Sequence, residues 1–127
     1  MVNAASPYTL TLPAAVATTF TNNDFANNPN WPRGFNLIAI GSAMTPTQFN
    51  NTVAQSTPPT AGQMSANFVS LWTWNATQTR WYFYAPSLER DGGLAAVKAY
   101  ADAQSFLDFS TNSRLLELGM GFWVNKP

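Results

Sequence analysis

The sequence predicts a mainly β domain with a minor helical part: a small antiparallel sheet, or a partly open barrel or sandwich, of five to six strands. One helix is expected at about 91–104 and a short one at about 46–54. Three observations lead there. Several short segments are rich in aromatic and aliphatic residues and read as strands, some with a clear period-two alternation. Nine prolines and seven glycines punctuate the chain between those segments. A single long segment carries the i, i+3, i+7 stripe of an amphipathic helix. At 127 residues the chain has the length of one domain. It divides into an N-terminal arm and strand, 1–13, and a module core, 34–126.

Tyr8-Thr9-Leu10-Thr11-Leu12 alternates apolar and polar residues, as a strand with one buried face does, and Pro13 stops it. Ala14 to Phe20 fits either a strand or a helical turn. Asn22 to Pro32 holds five asparagines and two prolines and reads as a loop, with Trp31 near its end. Phe35 to Ile40, between Gly34 and Gly41, is a strand. Thr45 followed by Pro46 is an N-cap with proline at the first helical position, opening a helix to about Ala54. Gln55 to Gly62, with Pro58 and Pro59, is a second loop. Phe68 to Trp74 and Arg80 to Tyr84 are strands joined by the polar Asn75–Thr79, an antiparallel hairpin. Ala85 and Pro86 end it. Asp91 is the expected cap of the main helix, whose stripe is Leu94, Val97 and Ala101, with Gly92 and Gly93 weakening its first turn. Gly119 to Val124 forms a closing strand.

Composition excludes much. The chain has no histidine and no cysteine, which removes the usual general base near neutral pH, thiol nucleophiles and the common zinc, haem and iron–sulfur ligands. No cofactor and no metal site is expected. Six basic residues balance six acidic ones, and charged residues make up 9% of the chain. The cations are scattered, without the basic cluster that nucleic acid or an anionic membrane surface requires. No apolar run approaches the ~20 residues of a membrane span. Neutral polarity stands in for charge: Asn, Thr, Ser and Gln supply 41 residues. Near-zero net charge favours association, and the whole reads as extracellular, cell-surface or assembly-associated. Residues 1–20 show no leader peptide.

The order of motifs resembles an uncharacterised β-rich module of large secreted bacterial proteins. The matching residues are Gly34, Phe35, Asn36 and Leu37, then Trp72 and Trp74. They continue with Trp81, Phe83, Tyr84, Ala85 and Pro86, and end with Gly119, Gly121, Phe122, Trp123 and Val124. The resemblance covers roughly residues 34–126. It implies a β-rich appendage beside other extracellular domains and no established activity.

The aromatic hairpin holds the candidate site. Trp72, Trp74, Trp81 and Phe83 are expected in the core, since each buried aromatic removes ~150–250 Å² from water. Tyr82 and Tyr84 point to the opposite face from Trp81 and Phe83. They are the expected exposed pair and, with Trp31, the candidate ligand-binding residues. Sugar rings stack their C–H faces on such side chains, while amides and hydroxyls meet the sugar oxygens. Glu89 and Asp91 form a close carboxylate pair, read as a solvated loop and helix cap. Asp24 among asparagines offers oxygens for calcium only weakly. Lys98 and Asp102 are spaced for a surface pair. Tyr8, Leu10 and Leu12 could add to a neighbour's sheet edge.

The expected function is a non-catalytic binding or adhesion module, taking a glycan or protein ligand through aromatic residues. The alternative is a structural subunit of a filament, sheath or virion that self-associates through its N-terminal strand. A carboxylate-based hydrolase is the remaining enzymatic reading, without a well-spaced carboxylate pair to support it.

Overall fold

The computed structural model describes residues 31–54, 63–111 and 113–127. The expectations for Tyr8–Leu12, Asp24, Ala14–Phe20 and the loops at 22–30 and 55–62 lie outside the described residues. The described chain forms β1 (Gly34–Ile38), α1 (Pro46–Gln48), β2 (Ser70–Asn75), β3 (Arg80–Tyr84), α2 (Pro86–Ala103), β4 (Leu107–Asp108) and β5 (Phe122–Lys126). The five strands make one open sheet in the order β1-β5-β2-β3-β4, so the fold is the small β-rich α+β type the sequence predicts. The sheet is mixed rather than wholly antiparallel, because β3 and β4 run parallel. A parallel pair needs a crossover, and α2 supplies it.

The C-terminal strand is central. β5 lies antiparallel between β1 and β2, pairing Trp123 with Leu37 on one side and with Trp72 on the other. β2 and β3 form the expected hairpin, with Trp72 opposite Phe83 and Trp74 opposite Trp81. Directly opposed residues share a face, so Leu37, Trp123, Trp72 and Phe83 form one row across four strands. Asn36, Val124, Leu71 and Tyr84 form the row behind it.

That second face is the core. Ile38, Leu71, Tyr82, Tyr84, Phe122 and Val124 are buried on it, under Phe49, Phe68, Phe109 and Leu116 from the connecting segments. The Phe49 ring meets Phe122 edge-on at 5.2 Å, a favoured aromatic geometry. Phe49 is brought there by the predicted cap. The Thr45 hydroxyl accepts from the Gln48 N–H, the Gln48 side chain accepts from the Thr45 N–H, and Pro46 opens the helix. The helix continues as a wider π-type turn through Phe49–Val53. Inside that turn, buried Asn50 donates to the Ser65 carbonyl at 2.7 Å and accepts from the Asn67 N–H at 3.1 Å, tying α1 to the approach to β2.

The main helix starts earlier than expected. Pro86 does not merely end the hairpin. It occupies the first helical turn, with Ala85 in the cap position. Asp91 is therefore not a cap. The diglycine does break the helix: Gly92 and Gly93 are non-helical, and Gly93 has φ 69° and ψ −175°, a region essentially restricted to glycine. Val97 and Ala101 of the predicted stripe are buried.

Candidate functional site: an aromatic groove on the outer sheet face

The two faces of the hairpin are reversed relative to expectation. Tyr82 and Tyr84 are 6% and 1% exposed, whereas Trp74, Trp81 and Trp123 are 48%, 37% and 39% exposed. The inference that Tyr82 and Tyr84 form an exposed platform is thus corrected, and so is the assignment of Trp74 and Trp81 to the core. Period-two alternation separated the faces properly but did not say which one is covered. The covering layer is built by Phe49, from the predicted short helix, and by Phe109 and Leu116, which come from segments without a strand or helix pattern. Phe83 alone of the expected core set is buried, because Tyr100 and Phe106 lie over it at 4.9 and 6.0 Å.

Tyr84 has a structural role instead. Its hydroxyl donates to Glu89 Oε2 at 2.6 Å, and Thr47 Oγ1 donates to both oxygens of that carboxylate. Burial, and then the bond to Glu89, push the Tyr84 phenol far above its ordinary range. Trp31 packs against the core, and its carbonyl accepts from Lys126 Nζ at 2.7 Å. It does not line the outer groove.

That groove has a volume of ≈ 510 Å³ and is lined by Phe35, Trp72, Trp81, Phe106 and Trp123. Trp72 is its floor. Its indole N–H donates to Ser70 Oγ at 2.8 Å, which fixes the ring. Phe106 stands edge-on to Trp72 at 4.9 Å. Phe106 is held in turn by Arg80, whose guanidinium donates to the Ser105 and Phe106 carbonyls at 2.8 and 3.0 Å. At the turn end of the hairpin Trp74 meets Trp81 at 5.2 Å. Among the described residues, none that lines the groove is charged.

The described carboxylates are engaged elsewhere. Asp91 pairs with Arg90, Asp102 with Lys98 as the spacing predicts, and Glu117 with Arg114. Asp108 accepts from the backbone N–H and hydroxyl of both Ser110 and Thr111. Burial raises its pKa, but these bonds outweigh that and hold the carboxyl below its usual range. A second cavity, of ≈ 290 Å³ and including Thr47, Tyr84, Asp108 and Arg114 in its lining, lies behind the sheet edge. Among the described residues no cluster of carboxylates could hold a metal ion, and no helix is long and apolar enough to cross a membrane. No family model, curated protein or solved structure matches this chain.

Proposed function

We propose that the protein is a non-catalytic extracellular or cell-surface binding module whose ligand surface is the outer aromatic groove, and that the ligand is an uncharged glycan. The observation that carries this reading is the set of tryptophans half-exposed on one sheet face. Leaving such side chains in water forgoes ~25 cal/mol per Å² of unburied apolar surface, and contiguous apolar patches on soluble proteins mark interaction sites. A neutral lining suits a neutral ligand. Sugar rings offer apolar C–H faces to indoles and need no counter-charge. The engaged carboxylates support a non-catalytic role, and the resemblance of residues 34–126 to modules of secreted proteins points the same way. The test is co-sedimentation with insoluble cellulose, chitin and xylan. The reading expects retention by at least one of them, lost in Trp123→Ala and Trp72→Ala. Retention by none, or retention that both variants keep, refutes it.

A second reading, a self-assembling subunit, is favoured by one observation. Among the described residues β1 is an edge strand, and its Phe35 and Leu37 side chains are 59% and 57% exposed. It carries no proline or charge within Gly34–Ile38, the usual protections of an edge. A strand with alternating Tyr8, Leu10 and Leu12 could pair there in a neighbouring copy. Because the chain has no cysteine, the pair Leu10→Cys and Leu37→Cys reports directly. Covalent dimers and higher ladders under oxidation support assembly; an intramolecular link or none opposes it.

A further inference from the structure

The cavity of ≈ 290 Å³ behind the sheet edge lies on the core side of the sheet, away from the aromatic groove, and its wall is largely apolar. Pro46 of α1, Leu94 and Val97 of α2, and Phe109 and Leu115 from the segment after β4 supply that wall. Leu94 and Leu115 are exposed, so the mouth is apolar as well. About ten waters would fill the space at ~30 Å³ each, and roughly eight carbons with a small head group take the same room. Small-molecule sites begin near this size, with an apolar lining and a few polar groups that fix orientation.

Most polar groups of the wall are already bonded within the protein. The Thr45 hydroxyl accepts the Gln48 N–H, the Thr47 and Tyr84 hydroxyls donate to Glu89, and Asp108 accepts from Ser110 and Thr111. Arg114 is the exception. Its Nη1 donates to Glu117 at 2.9 Å, but Nη2 meets only the thioether of Met120 at 3.7 Å, a weak acceptor, and the buried Nε has no partner. Nε and Nη2 share one edge of the planar guanidinium. The side chain is partly exposed, and a small swing lets a single oxygen in the cavity accept from both nitrogens. A buried donor left without an acceptor costs its desolvation without return, and such an oxygen restores it.

Charge narrows the class of ligand. Arg114 pairs with Glu117, and Lys98 pairs with Asp102. Asp108 also acts on Lys98, but among the described residues Asp108 and Glu89 are hydrogen-bonded by neutral donors alone. The surplus around the cavity is negative and repels an anion, while the guanidinium in the wall repels a cation. We infer that the cavity binds a small uncharged amphiphile, an amide, ester or ketone of medium chain length. Its alkyl chain packs against Leu94, Val97, Phe109 and Leu115, and its carbonyl oxygen accepts from Arg114. The site is independent of the glycan reading, since Trp72, Trp81 and Trp123 line a separate groove on the opposite face.

The test is NMR of the isotopically labelled full chain, titrated with octanamide and methyl hexyl ketone, with octanoate and octylammonium as charged controls of similar length. At least one neutral probe should shift the methyl signals of Val97 and Leu115 and move the Arg114 Nε–H signal downfield. The charged controls should bind about tenfold more weakly. Leu94→Trp fills the mouth and should abolish binding. Arg114→Met keeps the stem without the donors and should weaken binding about tenfold, the worth of one hydrogen bond from a charged group. Near-UV circular dichroism checks that both variants fold, and the signals of the parent chain decide the matter even where a variant does not. Trp123→Ala should leave cavity binding within twofold, so the glycan reading stands or falls separately. Shifts in none of the cavity methyls, or shifts confined to the indole N–H signals of Trp72, Trp81 and Trp123, overturn the site. Octanoate binding as tightly as octanamide, or Arg114→Met binding within twofold of the parent, overturns the assignment of a neutral acceptor to Arg114.

Discussion

Arg80 holds Phe106 in place from across the sheet edge. Its guanidinium donates to the Phe106 carbonyl at 3.0 Å and to the Ser105 carbonyl at 2.8 Å. Ser105 sits at φ 62°, which a serine rarely adopts, so the turn needs this restraint. The consequence is a fixed aromatic wall: the Phe106 ring lies 4.9 Å from Trp72.

Arg80→Ala should therefore loosen the groove more than it destabilises the fold. The bonds are solvent-exposed, and their loss should cost about 1 kcal/mol in urea unfolding. The larger effect should be on Trp72, whose emission should shift red as Phe106 departs. Arg80→Lys should not restore it, because a lysine lacks the fork that reaches two carbonyls together.

Tyr84 and Glu89 connect β3 to α2, and Thr47 brings α1 to the same carboxylate. Tyr84→Phe keeps the ring and removes the bond. It should cost roughly 1–3 kcal/mol, since a carboxylate loses a charge-assisted donor in a partly buried place. The buried phenol also sets an alkaline limit. Its folded pKa lies far above the unfolded value, near 10. Above pH ~10 the unfolded chain releases this proton and the folded one keeps it, so stability falls as pH rises. Below that pH the contribution is complete. Urea midpoints measured from pH 8 to 11 should decline, and Tyr84→Phe should flatten that decline.

Asp108 sets the acid limit by the opposite sign. Burial opposes its ionisation, but the bonds from Ser110 and Thr111 prevail and depress its folded pKa. The stability it contributes is present above the ordinary carboxylate pKa of ~3.9 and is lost as pH falls through the depressed folded value. Asp108→Ala should remove this acid dependence and cost about 2 kcal/mol at neutral pH. The segment it organises carries Phe109, buried against Tyr82 at 5.1 Å.

The strands were legible from alternation, and Thr45-Pro46 gave the short helix because capping is local chemistry. Three features were not legible. β4 is two residues long, too short for any period. Pro86 reads equally well as a strand terminator and as a first helical residue, and only the packing of α2 on the β3–β4 edge decides between them. The sidedness of the sheet was hidden because the β2–β3 hairpin carries aromatic residues on both faces, and each face also carries a polar residue, such as Ser70 on one and Thr73 on the other. Sidedness depends on what covers a face. Here the predicted short helix supplies Phe49, but the rest of the cover comes from irregular segments around Phe109 and Leu116, where sequence patterns are silent.

Adjacent residues of β5 test that sidedness directly. Phe122 is fully buried against Phe49, while its neighbour Trp123 faces outward and is 39% exposed. The larger side chain should matter less. Phe122→Ala empties a packed site and should cost ~3–5 kcal/mol, a large share of the ~5–15 kcal/mol that holds such a domain together. Trp123→Ala removes a ring already half in water, leaves no closed cavity, and should cost about 1–2 kcal/mol. Thermal and urea unfolding of the two variants should show this order. The reverse order would put Trp123 in the core and remove the outer groove as a binding surface.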